Sequence, residues 1–215
     1  MPTLPDDELI EIARAVIDAD SRAVRSAGTK LDAGFVGAAR RLSTGTGKVL
    51  VTGSGTSGTV AARAAHLLSV CGTPAFYLSP TDGLHGGLGV LQRDDLVLAL
   101  SKGGSSQELN DFCRRAKALC GGLIVVTAAP QSVLAGLADH LIRLELEGDA
   151  DLGAVVATGS SLAISAVIDA LSEIGRRTRD YDWERLLYTH PSGAVGRDAA
   201  QSLDRLSGGG AGDQS

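Results

Sequence analysis

Aromatic side chains are scarce in this 215-residue chain: three Phe, three Tyr and one Trp make up 3% of it. A core must therefore be filled by Ala, Val, Leu and Ile, and the hydrophobic fraction of 44% is ample for one generous domain. Basic runs are lacking as well, and the formal net charge is −5. A nucleic-acid binder carries a basic patch, so no nucleic-acid partner is expected. No apolar stretch reaches the ~18 residues of a membrane-spanning helix. The acidic, amphipathic start MPTLPDDELIEIARAV is unlike a signal peptide. The three cysteines, Cys71, Cys113 and Cys120, are odd in number and show no CxxC spacing. They read as buried thiols kept reduced in a cytoplasmic protein, not as a disulfide frame or a zinc site.

Glycine, by contrast, is abundant: 28 residues, about 13% against a usual ~7%. No three-residue period accompanies it, so the excess is not collagen-like. Residues 7–43 read as helix, with Leu9, Ile12, Ala13, Val16 and Ile17 on one stripe and Val24, Leu31, Phe35, Ala39 and Leu42 resuming it after a break near Gly28. Short apolar runs then alternate with helical stretches. The runs are 48–52, 75–78, 95–100, 123–127 and 140–144; the helices are 57–70 with Gly72 as its cap, 107–119, 132–137 and 160–176. Such alternation predicts an α/β fold, a parallel sheet covered on both faces, with ligands held at the carboxyl ends of strands. Residues 1–200 read as one domain that opens on a helical segment, 5–44, and residues 206–215 as a flexible tail.

The glycines cluster at those strand ends. Gly53-Ser-Gly-Thr-Ser-Gly58 joins a strand to a helix, where amides and the hydroxyls of Ser54, Thr56 and Ser57, together with Gly55, suit an anion. It formally fits G-x-G-x-x-G, yet the acidic residue expected about 20 positions on is missing, so a dinucleotide site is set aside. A tight turn with a serine cap is the structural alternative. Ser101-Lys-Gly-Gly-Ser-Ser106 follows another strand. Its hydroxyls (Ser101, Ser105, Ser106), its amides at Gly103 and Gly104 and the ammonium of Lys102 are what a phosphate monoester needs. Ser105-x-x-Glu108 also fits a capping box, which gives both residues a purely structural reading.

Of four histidines, His66 lies in an Ala-rich helix and His140 starts an apolar strand, and both read as structural. His85, in Asp82-Gly-Leu-His-Gly-Gly-Leu-Gly89, and His190, in His190-Pro-Ser-Gly-Ala-Val-Gly-Arg197, lie in glycine-rich loops, where imidazole suits proton transfer at neutral pH.

Three segments, GSGTSG (53–58), GTPAFYLSPTDGLHGGLGVLQRDDLVLALSKGGSS (72–106) and HPSGAVGR (190–197), resemble the SIS (sugar isomerase) domain family, and within it the arabinose-5-phosphate isomerase branch. The resemblance runs from about residue 7 to residue 197. It implies a three-layer αβα sandwich around a doubly wound five-stranded parallel sheet, assembled as homodimers or homotetramers with sites at subunit interfaces. It also implies an aldose–ketose isomerase that passes through a cis-enediol. Ser57, Ser101, Ser106 and the amides near Gly103 and Gly104 would hold the phosphate, while His85 and His190 would serve the reacting carbons, with contribution of histidines by a neighbouring chain left open. Either histidine could be the base; Glu108 is a third candidate. No redox cofactor and no metal are called for. Thr56 stands where the branch usually has Lys, and SKGGSS where it reads SNSGES, so Gly103 and Ser105 replace a serine and a glutamate and Lys102 is new. Those departures leave open a non-catalytic phosphosugar sensor, or an isomerase of another sugar such as a heptose or hexulose phosphate. The branch often continues into two CBS repeats, which this sequence lacks. Asp149 and Asp151 read as solvated loop carboxylates.

Overall fold

The computed structural model describes residues 3–191 and residue 203. Helices α1 (Asp6–Thr29) and α2 (Ala33–Thr44) lead into β1 (Val49–Thr52), α3 (Thr56–Val70), β2 (Ala75–Tyr77) and α4 (Pro80–Leu84). After a 3-10 turn (Gly87–Val90) come β3 (Leu96–Leu100), α5 (Gln107–Lys117), β4 (Leu123–Thr127), α6 (Val133–Leu137), β5 (His140–Arg143), α7 (Gly159–Thr178) and α8 (Trp183–Tyr188). The strands form one sheet in the order β2-β1-β3-β4-β5, and every pairing is parallel.

Every residue of β1, β3 and β4 is buried, because helices cover the sheet on both sides. Successive side chains alternate between the two faces. Val49, Val51, Leu98 and Val126 pack with Leu42 of α2, Leu68 of α3 and Ile168 of α7. Leu50, Val97, Ala99 and Val125 pack with Phe112 of α5 and Leu134 of α6. Phe35 and Phe112 are the only aromatic side chains among the buried hydrophobics of the described residues, and alanines fill much of the helix–sheet contact. The layers expected from the sequence are thus the layers found.

Chain order and strand order part company at β1. The chain leaves β1 toward β2 at one edge, then crosses back to β3 on the other side. A crevice opens between the carboxyl ends of β1 and β3, the place where open α/β sheets hold ligands.

Several local expectations need correction. The break in the N-terminal helix lies at residues 30–32, beyond Gly28, which stays helical; the Asp32 carboxylate accepts from the amides of Gly34 and Phe35 and starts α2 afresh. The stripe Leu9, Ile12 and Ile17 is exposed, and α1 buries only Ala23 and Ala27 in this chain. Of the three free cysteines only Cys113 is fully buried; Cys71 and Cys120 are half-buried. Burial pushes the Cys113 thiol up to about 12, so it stays a thiol at neutral pH. The segment before His85 is helical (α4), and another short helix, α8, precedes His190. Residues 192–197 and 206–215 lie outside the described residues.

Candidate active site

Gly53 follows β1 because nothing larger fits: a Cβ there would stand 2.7 Å from the Ser57 carbonyl oxygen and 3.0 Å from that of Leu100. Gly55 then turns the chain with φ +57°, a left-handed conformation that favours glycine, and caps α3. The cap is therefore Gly55 and not a serine, and no side chain covers the first amides of α3. Ser54 and Ser57 are half-buried, while Gly55 and Thr56 are exposed.

The β3 loop is built in the same manner. Gly104 has φ +60°, and a Cβ there would stand 2.6 Å from the Cβ of Ser132. Its amide donates to the Ser101 hydroxyl at 3.0 Å, closing the turn. The Lys102 carbonyl accepts from the Ala128 amide (3.1 Å) and the Thr127 hydroxyl (3.0 Å), which ties the loop to the end of β4. The expected capping box is not formed: Ser106, not Ser105, occupies the cap of α5, and its side chain makes no capping bond. Instead the Ser106 hydroxyl donates to the Ser54 hydroxyl at 3.3 Å, joining the two loops. Gly103, Ser105 and Glu108 are exposed beside them, with Glu108 in the first turn of α5.

The helix starts differ in a telling way. A side chain caps each of α2, α4, α6 and α8, through Asp32, Ser79, Ser132 and Asp182. The N-cap residues of α1, α3, α5 and α7 make no such bond; Asp151 takes the Ser160 amide at the start of α7, and α3 and α5 are the two that follow β1 and β3. Their first amides and the positive ends of two helix dipoles are left for an anion. A cleft of about 510 Å³ opens alongside, lined by Gly103, Gly104, Ser105, Asn110 and the turn from Ala129 to Val133.

Asp151, read from the sequence as a solvated carboxylate, is buried, with a side chain only 1% exposed. Its Oδ1 accepts from the amides of Thr158 and Ser160, both at 2.9 Å, and its Oδ2 pairs with the Lys102 ammonium at 2.5 Å. Burial works against the charged form, but Lys102 and those two amides outweigh it and hold the carboxyl below its usual range. Its place before the last long helix, where the resembled branch carries an acidic residue, is the one signal for it in the sequence; its burial depends on where the 148–158 segment lands. Asp149 is exposed and pairs with Arg22 of α1.

The two histidines lie apart. His85 caps α4 and is exposed; α4 follows β2, and its Gly83 packs on Phe112 of α5, so His85 belongs to the carboxyl end of the sheet. His190 does not. Helix α7 starts beside Asp151 and ends where the Arg179 guanidinium donates to the carbonyls of Leu42 and Gly45, ahead of β1. From Ser160 to Arg176 the axis climbs about 24 Å. Arg176 stacks over Trp183, so α8 starts at that far end, and a helix of about 9 Å is too short to return to the loops. The His190 ring stays on α8, its Nδ1 2.9 Å from the Leu186 carbonyl oxygen. That oxygen can only accept, so Nδ1 is the donor in this contact and Nε2 points elsewhere on the ring. His66 is exposed on α3, and His140 is half-buried at the start of β5. Among the described residues no three His, Cys, Asp or Glu side chains converge on a metal position.

Comparison with known proteins bears on the family and the fold. The SIS domain model matches residues 44–173. The arabinose 5-phosphate isomerase KdsD of Pseudomonas aeruginosa is 33% identical over 190 residues, which cover 88% of this chain and 58% of that protein. GutQ of Salmonella typhi, also an arabinose 5-phosphate isomerase, is 28% identical over 93% of this chain and 62% of its own length. The chain thus spans about three fifths of these curated relatives. Among solved structures, a putative sugar-phosphate isomerase from Listeria monocytogenes superposes with TM-score 0.84 at 29% identity, covering 88% of this chain and all of its own. A protein of Escherichia coli CFT073 solved in complex with A5P superposes with TM-score 0.83 at 25% identity, covering 87% of this chain and all of its own. Fold, loop placement and the family match lead to one statement: the chain belongs to the SIS domain family.

Proposed function

We propose that the protein is an aldose–ketose isomerase of a short phosphorylated sugar, of the arabinose 5-phosphate/ribulose 5-phosphate kind. The observation that carries this reading is the pair of uncapped helix starts, α3 and α5, joined by Ser54 and Ser106 at the switch point of the sheet. A phosphate seated there accepts from amides of residues 55–57, Gly103 and 105–107 and from the hydroxyls of Ser54, Ser57, Ser101 and Ser106, while the Gly58 and Gly104 amides close the turns on Gly55 and Ser101. Binding the remote phosphate supplies free energy that positions the reacting carbons. The KdsD and GutQ names and the A5P complex point to the same substrate class.

The chemistry is internal to the sugar. A base takes the proton from C2 of the open aldose, and the electron pair forms the cis-enediol as O1 is protonated. The C1 carbon then takes a proton back while O2 loses its own, giving the ketose. No electrons leave the molecule, so the residues need only bind, orient and move protons. His85 stands at the right end of its own chain. For His190 a second copy of the chain is the route by which the ring reaches the loops. The exposed apolar face of Leu9, Ile12 and Ile17, with Leu162 and Val155 (85% exposed), is the surface such a copy would cover.

Incubation with arabinose 5-phosphate in D₂O tests the reading: ribulose 5-phosphate should appear with deuterium at the carbon that gained the proton. Phosphosugar binding without interconversion across four- to seven-carbon sugar phosphates would identify a sensor instead. Ile12→Glu should give monomers in sedimentation and lose turnover with them. An unchanged sedimentation coefficient would remove that surface from the assembly.

A further inference from the structure

We propose that Lys102 is the cation that touches the anionic end of the substrate, and that Asp151 is the positioning residue that aims it; the assignment rests on the phosphosugar reading above. The two oxygens of Asp151 do separate work. Oδ1 takes the amides of Thr158 and Ser160 at the start of α7. Oδ2 meets the Lys102 ammonium. The β3 loop does not need that contact for its shape, since Ser101, Thr127 and the Ala128 amide already fix its backbone. What the contact adds is direction. An ammonium on a four-carbon stem is mobile, and here it is held beside the start of α7 by Asp151. An ammonium has three donors, and the Lys102 side chain remains 41% exposed beside the two uncapped helix starts. A phosphate between those starts can take a donor that Asp151 leaves free.

Asp151 is a poor candidate for the base itself. Its carboxylate is buried, already accepts from two amides, is paired with one ammonium, and is held ionised by them against burial. Nor is the pair only a brace for the 148–158 segment, which is closed by its own backbone bonds, Ala154 to Asp151 and Gly159 to Ala150.

The geometry also supplies a clean variant. In Asp151→Asn a carbonyl oxygen still serves the Thr158 and Ser160 amides, while the attraction for the ammonium is gone. The test is a double-mutant cycle on ligand affinity, measured by calorimetry with arabinose 5-phosphate and with inorganic phosphate. Lys102→Met should weaken arabinose 5-phosphate binding by at least about tenfold, the loss of one charge-assisted hydrogen bond. Asp151→Asn should weaken it severalfold. Lys102→Met/Asp151→Asn should bind like Lys102→Met alone, because Asp151 acts through the lysine. Lys102→Met leaves a buried carboxylate unpaired and should melt lower, whereas the double variant removes both charges and restores the melting temperature, so affinity is read on a folded protein.

Wild-type affinity in Lys102→Met overturns the proposal. So does tighter binding in Asp151→Asn, which would make the carboxylate a competitor of the ligand, and so does an Asp151→Asn effect that persists in full without Lys102. The readout needs no turnover. Lys102-dependent binding without isomerisation overturns the proposed reaction and leaves this assignment standing, whereas turnover unaffected by either variant does the reverse. Lys102-dependent binding of inorganic phosphate but not of the sugar phosphate overturns only the substrate.

Discussion

Lys48 and Asp95 pair at the amino end of the sheet, Lys102 and Asp151 at its carboxyl end, and the two pairs are built alike. Asp95 is 2% exposed and accepts from the Lys48 amide (2.9 Å), the Gln92 amide (2.7 Å) and the Lys48 ammonium (2.5 Å). Asp151 likewise holds two amides and one ammonium. Both carboxyls titrate below their usual range: burial opposes the charge and the donors more than offset it. The surroundings differ. At the amino end Gly47 and Gly121 lie close against the backbone around Asp95, and the Lys48 and Gln92 amides are both spent on its carboxylate. At the carboxyl end the lysine stays 41% exposed in the loop that leads into the uncapped start of α5. A buried charge pair is therefore not a functional mark in itself; the free donors around it make it one.

Substitutions at each end sharpen that contrast. The largest loss of function is expected from Gly104→Val, since its φ of +60° and the Ser132 side chain leave no place for a branched residue. A displacement of about 1 Å in a positioning loop is enough for a ~100-fold fall in kcat/KM, read in a coupled assay of ketose formation. Asp95→Asn should do the opposite. Urea unfolding should report a loss of about 1.5–3 kcal/mol, the expectation for weakened hydrogen bonds to a charged group, with phosphosugar affinity unchanged. Acid sharpens this further. The Asp95 carboxylate is stabilising above its unfolded value of 3.8, and that contribution fades as pH falls through its lower folded value. Wild-type stability should therefore drop below about pH 4, and Asp95→Asn should show a shallower drop over the same window. The smallest effect is expected from Ser106→Ala. It removes a 3.3 Å hydroxyl contact with Ser54 and should raise KM by about fivefold, from the ~1 kcal/mol of a neutral hydrogen bond. An unchanged KM would take the joined hydroxyls out of the phosphate cradle.

How legible this was depended on what each residue answers to. Apolar runs bounded by glycine marked β3 and β4 closely, because central parallel strands are apolar on both faces and glycines must follow where backbone closes on backbone. The loops at 53–58 and 101–106 were visible for the same reason. Helix starts were less so: Ser105 and Ser106 are equally good caps on paper, and only the path of the loop decides for Ser106. The stripe on α1 was seen, but periodicity tells which residues share a face and not what covers it. The burial of Asp151 was hidden because it is a property of an irregular segment reaching α7. The separation of His190 from the loops was hidden too, since it follows from the length and direction of α7.

The edges of the sheet carry a last consequence. Strand β2 has three residues and β5 four, so each side ends in a short, partly exposed rung. Short rims offer little template for another chain to add itself by backbone pairing, the route by which sheets grow into aggregates. Copies of this protein are left to meet through helix faces. Self-recognition then depends on side chains, which sequence can tune, and is spared the indiscriminate stickiness of open backbone.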